Sequence, residues 1–350
     1  MNLRSSAAVA ALSLSFGLIV PPPPSPVSAA HPGEPPTVTA DAWILYDATS
    51  DVVLAGTGID EERAMASVTK IMTALVARQH LDMDAEVRIS DTAAAAGESE
   101  VGLVAGERWA VRDLFYALLV RSGNDAAIAL AEATAGSVSD FAELMNRKAA
   151  ELGLVHSNFV NAHGLDDPDH YTSAYDLAIM ARELLDDPVL ARMVRTRLVV
   201  FKPSPNGANR NMRNTNHLLG VFPGVIGVKT GYTGNAGLVL VSALETPSRT
   251  LVGVVLGSEA HFEDSRALLD YGSRLITLED RWLRPLLVEA GGGAAGVTAF
   301  DDATRSRLLT VQDLPAGTGQ VTEDISDTAV GRAIAKRLRA TLPQVLGGSG

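Results

Sequence analysis

"GVIGVKTGYTGNAGLVLVSALETPSRTLVGVVLG", residues 224–257, decides how this chain is read. It divides into three apolar runs, 224–232, 236–244 and 249–257, with Gly, Asn and Pro at the joints. That pattern predicts three β-strands linked by turns. Far upstream, "AWILYDATSDVVLAG" (42–56) carries two more β-rich runs around "DATSD", the signature of a hairpin. Between these ends the period is helical: about 67–79, then 111–120, 125–134, 141–152 and 173–185. The last opens on Ser173 followed three residues later by Asp176, a predicted capping box. "HFEDSRALLDYGSRLI" (261–276) closes with one more helix. The expected fold is therefore α/β (α+β): one antiparallel sheet built from both chain ends, helices packed on it and a helical region inserted between. The sequence contains no internal repeat.

The chain has 350 residues, 47% of them hydrophobic, enough for a substantial core. A net charge of −12 and a pI near 5.0 lack the electrostatic footprint of a nucleic-acid binder. The absence of cysteine excludes disulfides, thiolate catalysis and cysteine-ligated zinc together. Residues 1–30 read as an export signal: Arg4 gives a positive start, Ala7 to Val20 is apolar but too short to span a bilayer, and Val27-Ser28-Ala29 offers small residues for cleavage. Residues 31–39 continue as a Pro-rich linker, residues 40–278 form the expected catalytic domain, and 279–350 form a tail broken by "EAGGGAAG" (289–296). The tail ends in "AVGRAIAKRLRATLPQVL" (329–346), a basic amphipathic helix whose expected roles are a solvated helix or a peripheral membrane contact opposed by Pro343.

Lysine occurs only at 70, 148, 202, 229 and 336, so each one invites a question. In "ASVTKIMTAL" (66–75) Lys70 stands among apolar residues, three positions after Ser67. Taken alone, the lysine lies along apolar surface on its stem and the serine caps a helix. Geometry offers a sharper reading. Residues i and i+3 share a helix face, and an amine of lowered pKa beside a hydroxyl can take its proton and create a nucleophile. Two further motifs bear on the choice. Ser122-Gly123-Asn124 lies between two helical runs, where its ordinary role is a turn and a cap. Lys229-Thr230-Gly231 ends an apolar strand, where a lysine ordinarily guards an edge. By composition, S-x-x-K, S-G-N and K-T-G fall together by chance in roughly one such sequence per thousand. Here each occurs once, in that order.

Order and context resemble the penicillin-recognising serine acyltransferases. The surrounding text, "ILYDATSDVVLA", "MASVTKIMTALVA", "FVNAHGLDDPDHYTSAYDLA" and "GVKTGYTGNAGLVLVSA", is similar to the D-alanyl-D-alanine carboxypeptidase family of low-molecular-mass penicillin-binding proteins over about residues 40–278. The resemblance implies a β-lactamase/transpeptidase-like fold and an acyl-enzyme on Ser67. It implies Lys70 as general base, Asn124 as holder of Lys70 and of the substrate amide, and Ser122 as proton relay to the leaving amine. Lys229 and Thr230, with Gly231, would bind the terminal carboxylate, and the N–H groups of Ser67 and Tyr232 would form an oxyanion hole. Arg210 and Arg213 are the alternative candidates for the carboxylate. Substrates and partners would be peptidoglycan stem peptides and β-lactams, with no cofactor and no metal. The rival readings are a D,D-endopeptidase, a class A-like β-lactamase and a catalytically silent penicillin-binding sensor. The β-lactamase lacks support, because Glu143-Leu144-Met145-Asn146 does not match E-x-x-L-N. His156, His163 and His170 recur every seven residues among Asp166, Asp167 and Asp169. Gly164 and Pro168 forbid a shared helix face, so a solvated acidic loop is expected there rather than a metal site. His217 is expected either at the cleft border or on the surface.

Overall fold

The computed structural model describes residues 35–278 apart from 202, 204, 206 and 208. The expected export signal, residues 31–34 of the linker, the tail and the basic helix at 329–346 lie outside the described residues. In chain order the elements begin with β1 (Ala42–Asp47), β2 (Val52–Thr57) and β3 (Arg63–Ala64), then a 3-10 turn (Ala66–Thr69) running into α1 (Lys70–His80). The inserted region holds β4 (Glu86–Arg88), α2 (Asp91–Ala94), β5 (Arg108–Ala110), α3 (Val111–Tyr116), a π turn (Ala117–Arg121), α4 (Asn124–Ala135) and α5 (Val138–Leu152). It continues through β6 (Tyr171–Thr172), α6 (Ala174–Asp186), α7 (Pro188–Val194), β7 (Leu198–Val199) and β8 (Met212–Arg213). The chain then returns through β9 (Val225–Thr233), β10 (Gly237–Glu245) and β11 (Thr250–Ser258) to α8 (His261–Leu278).

Both ends of this domain do share one sheet, in the order β2-β1-β11-β10-β9, with every neighbouring pair antiparallel. Its inner strands are apolar without alternation because both faces are covered. On β1, Trp43 and Leu45 point into a cluster with Leu268, Leu269 and Leu275 of α8, while Ile44 and Tyr46 point into the larger core with α1, α4 and α6. On β11, Leu251 and Val255 take the first face, and Val252, Val254 and Leu256 the second. The two-residue period of a strand sorts a continuous apolar run into two cores. At about 1.5–3 kcal/mol for each fully buried large aliphatic side chain, burial on two faces fixes register strongly.

Three details differ from the sequence expectation. Ser173 caps α6 by accepting from the Asp176 N–H at 3.1 Å, but the Asp176 carboxylate does not return to the cap. It accepts instead from the Ser157 hydroxyl at 2.7 Å and the His156 N–H at 2.9 Å. The helix begun at 111 widens into a π turn at 117–121, which ends in Ser122 at φ 71°. The two-residue and three-residue strand pairs β3–β6, β4–β5 and β7–β8 are too short to leave a periodic signal.

Candidate active site

Ser67 lies in the 3-10 turn, and its placement rests on a chain of hydrogen bonds behind it. Ala66, just before it, has φ +49°, an uncommon conformation for a residue with a Cβ. Its carbonyl accepts the Thr69 hydroxyl at 2.8 Å. Thr69 has then spent its proton, so the 2.8 Å contact with His170 Nε2 makes that nitrogen the donor. The opposite nitrogen, Nδ1, accepts the Val160 N–H at 3.1 Å, which fixes the neutral Nε2–H tautomer. Burial holds the His170 pKa at about 4, so the ring stays neutral. Gly164 closes this arrangement. At φ +93° it approaches so near that a Cβ would lie 1.9 Å from the Ala66 carbonyl oxygen.

Lys70 opens α1 and is fully buried. Its Nζ lies 2.9 Å from Ser67 Oγ, 2.8 Å from Asn124 Oδ1 and 2.7 Å from the His163 carbonyl oxygen. The last two are acceptors only. A neutral amine donates its two N–H groups to them, leaving its lone pair toward Ser67, whose O–H can then donate. Burial first, and then the like charge of Lys229, push the Lys70 pKa well below its ordinary value; Asp125 and Glu98 oppose this more weakly. The site is thus built to keep a neutral amine against the serine hydroxyl.

Asn124 is the first residue of α4. Its Nδ2 donates to the Gly97 carbonyl at 3.3 Å and its N–H to the Ser99 carbonyl at 2.6 Å, so its Oδ1 is free to face Lys70. Asp125, which the sequence reading passed over, braces the same loop. Its carboxylate accepts from the N–H groups of Val101 at 2.9 Å, Gly102 at 2.9 Å and Leu103 at 3.0 Å. Ser122 is buried at the turn, but its hydroxyl is not among the three partners of Lys70.

The third motif approaches from β9, at the sheet edge. Lys229 is 1% exposed, so it does not guard that edge against other strands. Its Nζ donates to the Thr230 carbonyl at 2.8 Å. Burial, and then the charge of Arg121, lower its pKa to about 7. Thr230 donates through its hydroxyl to Thr215 Oγ1 at 2.6 Å. Gly231 passes so close to the 3-10 turn that a Cβ there would lie 3.0 Å from the Ser67 nitrogen. A side chain would wedge β9 from the 3-10 turn, which is the physical need for glycine in K-T-G. Tyr232 follows on the same strand and is 68% exposed.

Other candidates separate. Arg210 is buried and clamped on Glu107 by two 2.8 Å contacts, on the Gly102 carbonyl and over the Trp109 ring; it is a structural brace and unavailable to a substrate carboxylate. His156 lies beside Glu62, His163 contributes its carbonyl to Lys70, and His170 serves the Ala66 turn. The acidic loop is exposed as expected, and Asp166 on it accepts from the Thr233 hydroxyl at 2.6 Å and the Asn235 N–H at 3.1 Å, tying the loop to the β9–β10 turn. Among the described residues no three His, Asp or Glu side chains converge as a metal site. Nor does any described helix have the length and apolarity to cross a membrane.

A serine against a buried lysine at the mouth of a helix, an S-x-N turn and a K-T-G edge strand define the serine–lysine class of penicillin-recognising folds. The family profile described as D-alanyl-D-alanine carboxypeptidase matches residues 28–260, and the chain belongs to that family. It is 38% identical over 224 residues to D-alanyl-D-alanine carboxypeptidase DacF of Bacillus subtilis, covering 63% of this chain and 57% of that one. To DacC of Escherichia coli it is 36% identical over 268 residues, covering 72% and 65%. The chain thus spans less than two thirds of the length of these relatives. Among solved structures, the Streptomyces K15 DD-transpeptidase superposes with a TM-score of 0.65 at 31% identity, covering 69% of this chain and 99% of that one. Penicillin binding protein 6B from Escherichia coli gives 0.64 at 35% identity, covering 69% and 79%.

Proposed function

We propose that the protein is a serine-type D-Ala-D-Ala carboxypeptidase that removes the terminal D-alanine from peptidoglycan stem peptides and is acylated by penicillins. The observation that carries this reading is the 2.9 Å contact between Ser67 Oγ and a fully buried Lys70 whose pKa is pushed well down. Lys70 takes the Ser67 proton as Oγ attacks the penultimate carbonyl. The N–H groups of Ser67 and Tyr232 receive the developing oxyanion. The C–N bond breaks as Ser122 relays the proton from Lys70 to the leaving amine, which returns Lys70 to its neutral form. Water then adds to the ester, with Lys70 again the base, and frees Ser67. Lys229 in its protonated form, and Thr230 once its hydroxyl turns from Thr215, hold the terminal carboxylate, with Gly231 admitting the strand.

Two rival readings lose support on geometry. A silent sensor has no need to keep a buried lysine against the serine. A class A-like β-lactamase needs a carboxylate aimed at the ester, whereas Asp166 is engaged by Thr233 and Asn235, and Glu143 lies exposed beside Arg147. Action outside the cytoplasm follows from the expected export signal and accords with the family. The test is incubation of the purified protein with a pentapeptide ending in D-Ala-D-Ala. Stoichiometric release of free D-alanine, lost in Ser67→Ala, is the expected result. No release from the parent protein would overturn the reading.

A further inference from the structure

Beside β9 the surface carries an open pocket of about 460 Å³ lined by Arg121, Arg213, His217 and Thr215, with Leu198 as its apolar part. The wall is built rather than incidental. The Thr215 N–H donates to the Val120 carbonyl at 3.2 Å, which ties this segment to the π turn that ends in Arg121. Buried Asn214 donates to the carbonyls of Val194 at 3.2 Å and Thr196 at 3.0 Å, and buried Asn216 to Gly227 at 2.8 Å. Arg213 is held on a short strand opposite Leu198. His217 stacks on Phe262, centroids 5.0 Å apart. Among the described residues neither Arg121 nor Arg213 has a carboxylate partner, although the whole chain is acidic. Arg121 and Arg213, both exposed, line the same opening, and their two positive charges favour an anion there.

The cavity's place relative to the reaction follows from β9. In the proposed function the attacked carbonyl lies by the Tyr232 N–H and the substrate's terminal carboxylate by Thr230, two residues earlier. The substrate therefore runs from acyl side to leaving side in the direction from Tyr232 toward Thr230. Thr215, which accepts the Thr230 hydroxyl at 2.6 Å, stands just beyond that carboxylate and forms part of the cavity wall. We infer that this cavity is a leaving-group subsite, in which Arg121 and Arg213 receive a second carboxylate carried by the residue after the scissile bond. The substrate class is a peptide in which D-alanine is bonded to an acidic D-amino acid. This rests on the proposed function and extends it from D-alanine to dicarboxylic leaving groups.

The experiment compares N-acylated peptides ending in D-Ala-D-Ala, D-Ala-D-Glu and the isosteric, uncharged D-Ala-D-Gln on the parent protein, Arg213→Gln and Arg121→Gln. The parent is expected to prefer D-Glu over D-Gln in kcat/KM by about tenfold, the size of one charge-assisted contact at a half-open surface. Either substitution should bring that ratio toward one, by lowering kcat/KM for D-Glu more than for D-Gln. A ratio near one in the parent, or a ratio that both variants preserve, overturns the subsite while the carboxypeptidase reading stands. Failure of the parent to hydrolyse even D-Ala-D-Ala refutes the reading of function, and the subsite with it.

Discussion

Replacing Lys229 by methionine should stabilise the protein while disabling it. Lys229 is buried, and its pKa falls from 10.5 to about 7 on folding. An unfolded chain therefore binds a proton at this residue that the folded protein partly gives up between those pH values. Stability contributed by the residue rises with pH through that window, and the full penalty is felt below about pH 7. At pH 7 the penalty is about 4 kcal/mol, and at pH 9.5 about 1 kcal/mol, from the linkage relation with those two values. Methionine keeps the volume and removes the penalty, but loses the hydrogen bond to the Thr230 carbonyl, about 1 kcal/mol. Lys229→Met should then exceed the parent by about 3 kcal/mol in urea unfolding at pH 7 and by close to nothing at pH 9.5. Removing the charge also relieves Lys70, whose lowered pKa owes its second cause to Lys229, which pushes the difference the same way. Other groups titrate alike in both proteins and cancel. A stability difference that is the same at both pH values, or a variant less stable than the parent at pH 7, would refute the account of Lys229 as a strained, functional cation.

Three other outcomes follow from the site. Lys70→Arg should abolish acylation by penicillin, because guanidinium has no usable neutral form at these pH values; near-normal adduct formation in mass spectra would remove Lys70 as the base. Gly164→Ala places a methyl 1.9 Å from the Ala66 carbonyl oxygen at φ +93°, so it should displace the Ser67 turn, destabilise the fold and cut acylation at least about a hundredfold. Parent-like acylation and melting would refute the close-approach argument. His170, at about 4 when folded against 6.5 unfolded, contributes stability present above pH 6.5 and lost as pH falls toward 4. His170→Gln keeps a donor for Thr69 without titrating and should reduce that acid loss by about 3 kcal/mol, read from unfolding curves at pH 6.5 and 4. An unchanged slope would rule it out.

Much of this architecture is legible because its signals are local or repeated. Strands 225–233, 237–245 and 250–258 announce themselves as apolar runs between Gly, Asn and Pro, and the sheet then follows from needing the hairpin at 42–57 to cover its open edge. The side chains proposed to react are legible because their chemistry depends on residue type: the proposal needs lysine for the amine and serine for the alkoxide. What the sequence hides are partners whose type does not matter or whose distance is long. The His163 carbonyl that anchors Lys70 is a backbone atom, the same in any residue, so the histidine drew attention as a metal ligand instead. Asp125 looks like a helix-start acid, and only the fold brings the N–H groups of 101–103 onto it. Arg210 and Glu107 meet across 103 positions, and nothing in either neighbourhood announces the pair. The π turn before Ser122 inserts one irregular winding into an otherwise helical period and cannot be told from it by periodicity.

The central claim is that Ser67, activated by Lys70, carries the acyl group. Its most direct test is intact-mass analysis with peptide mapping after brief exposure to benzylpenicillin. One penicilloyl group on Ser67, absent in a folded Ser67→Ala variant, is the predicted result. An adduct on Ser122 or another residue, or equal labelling of Ser67→Ala, would contradict it.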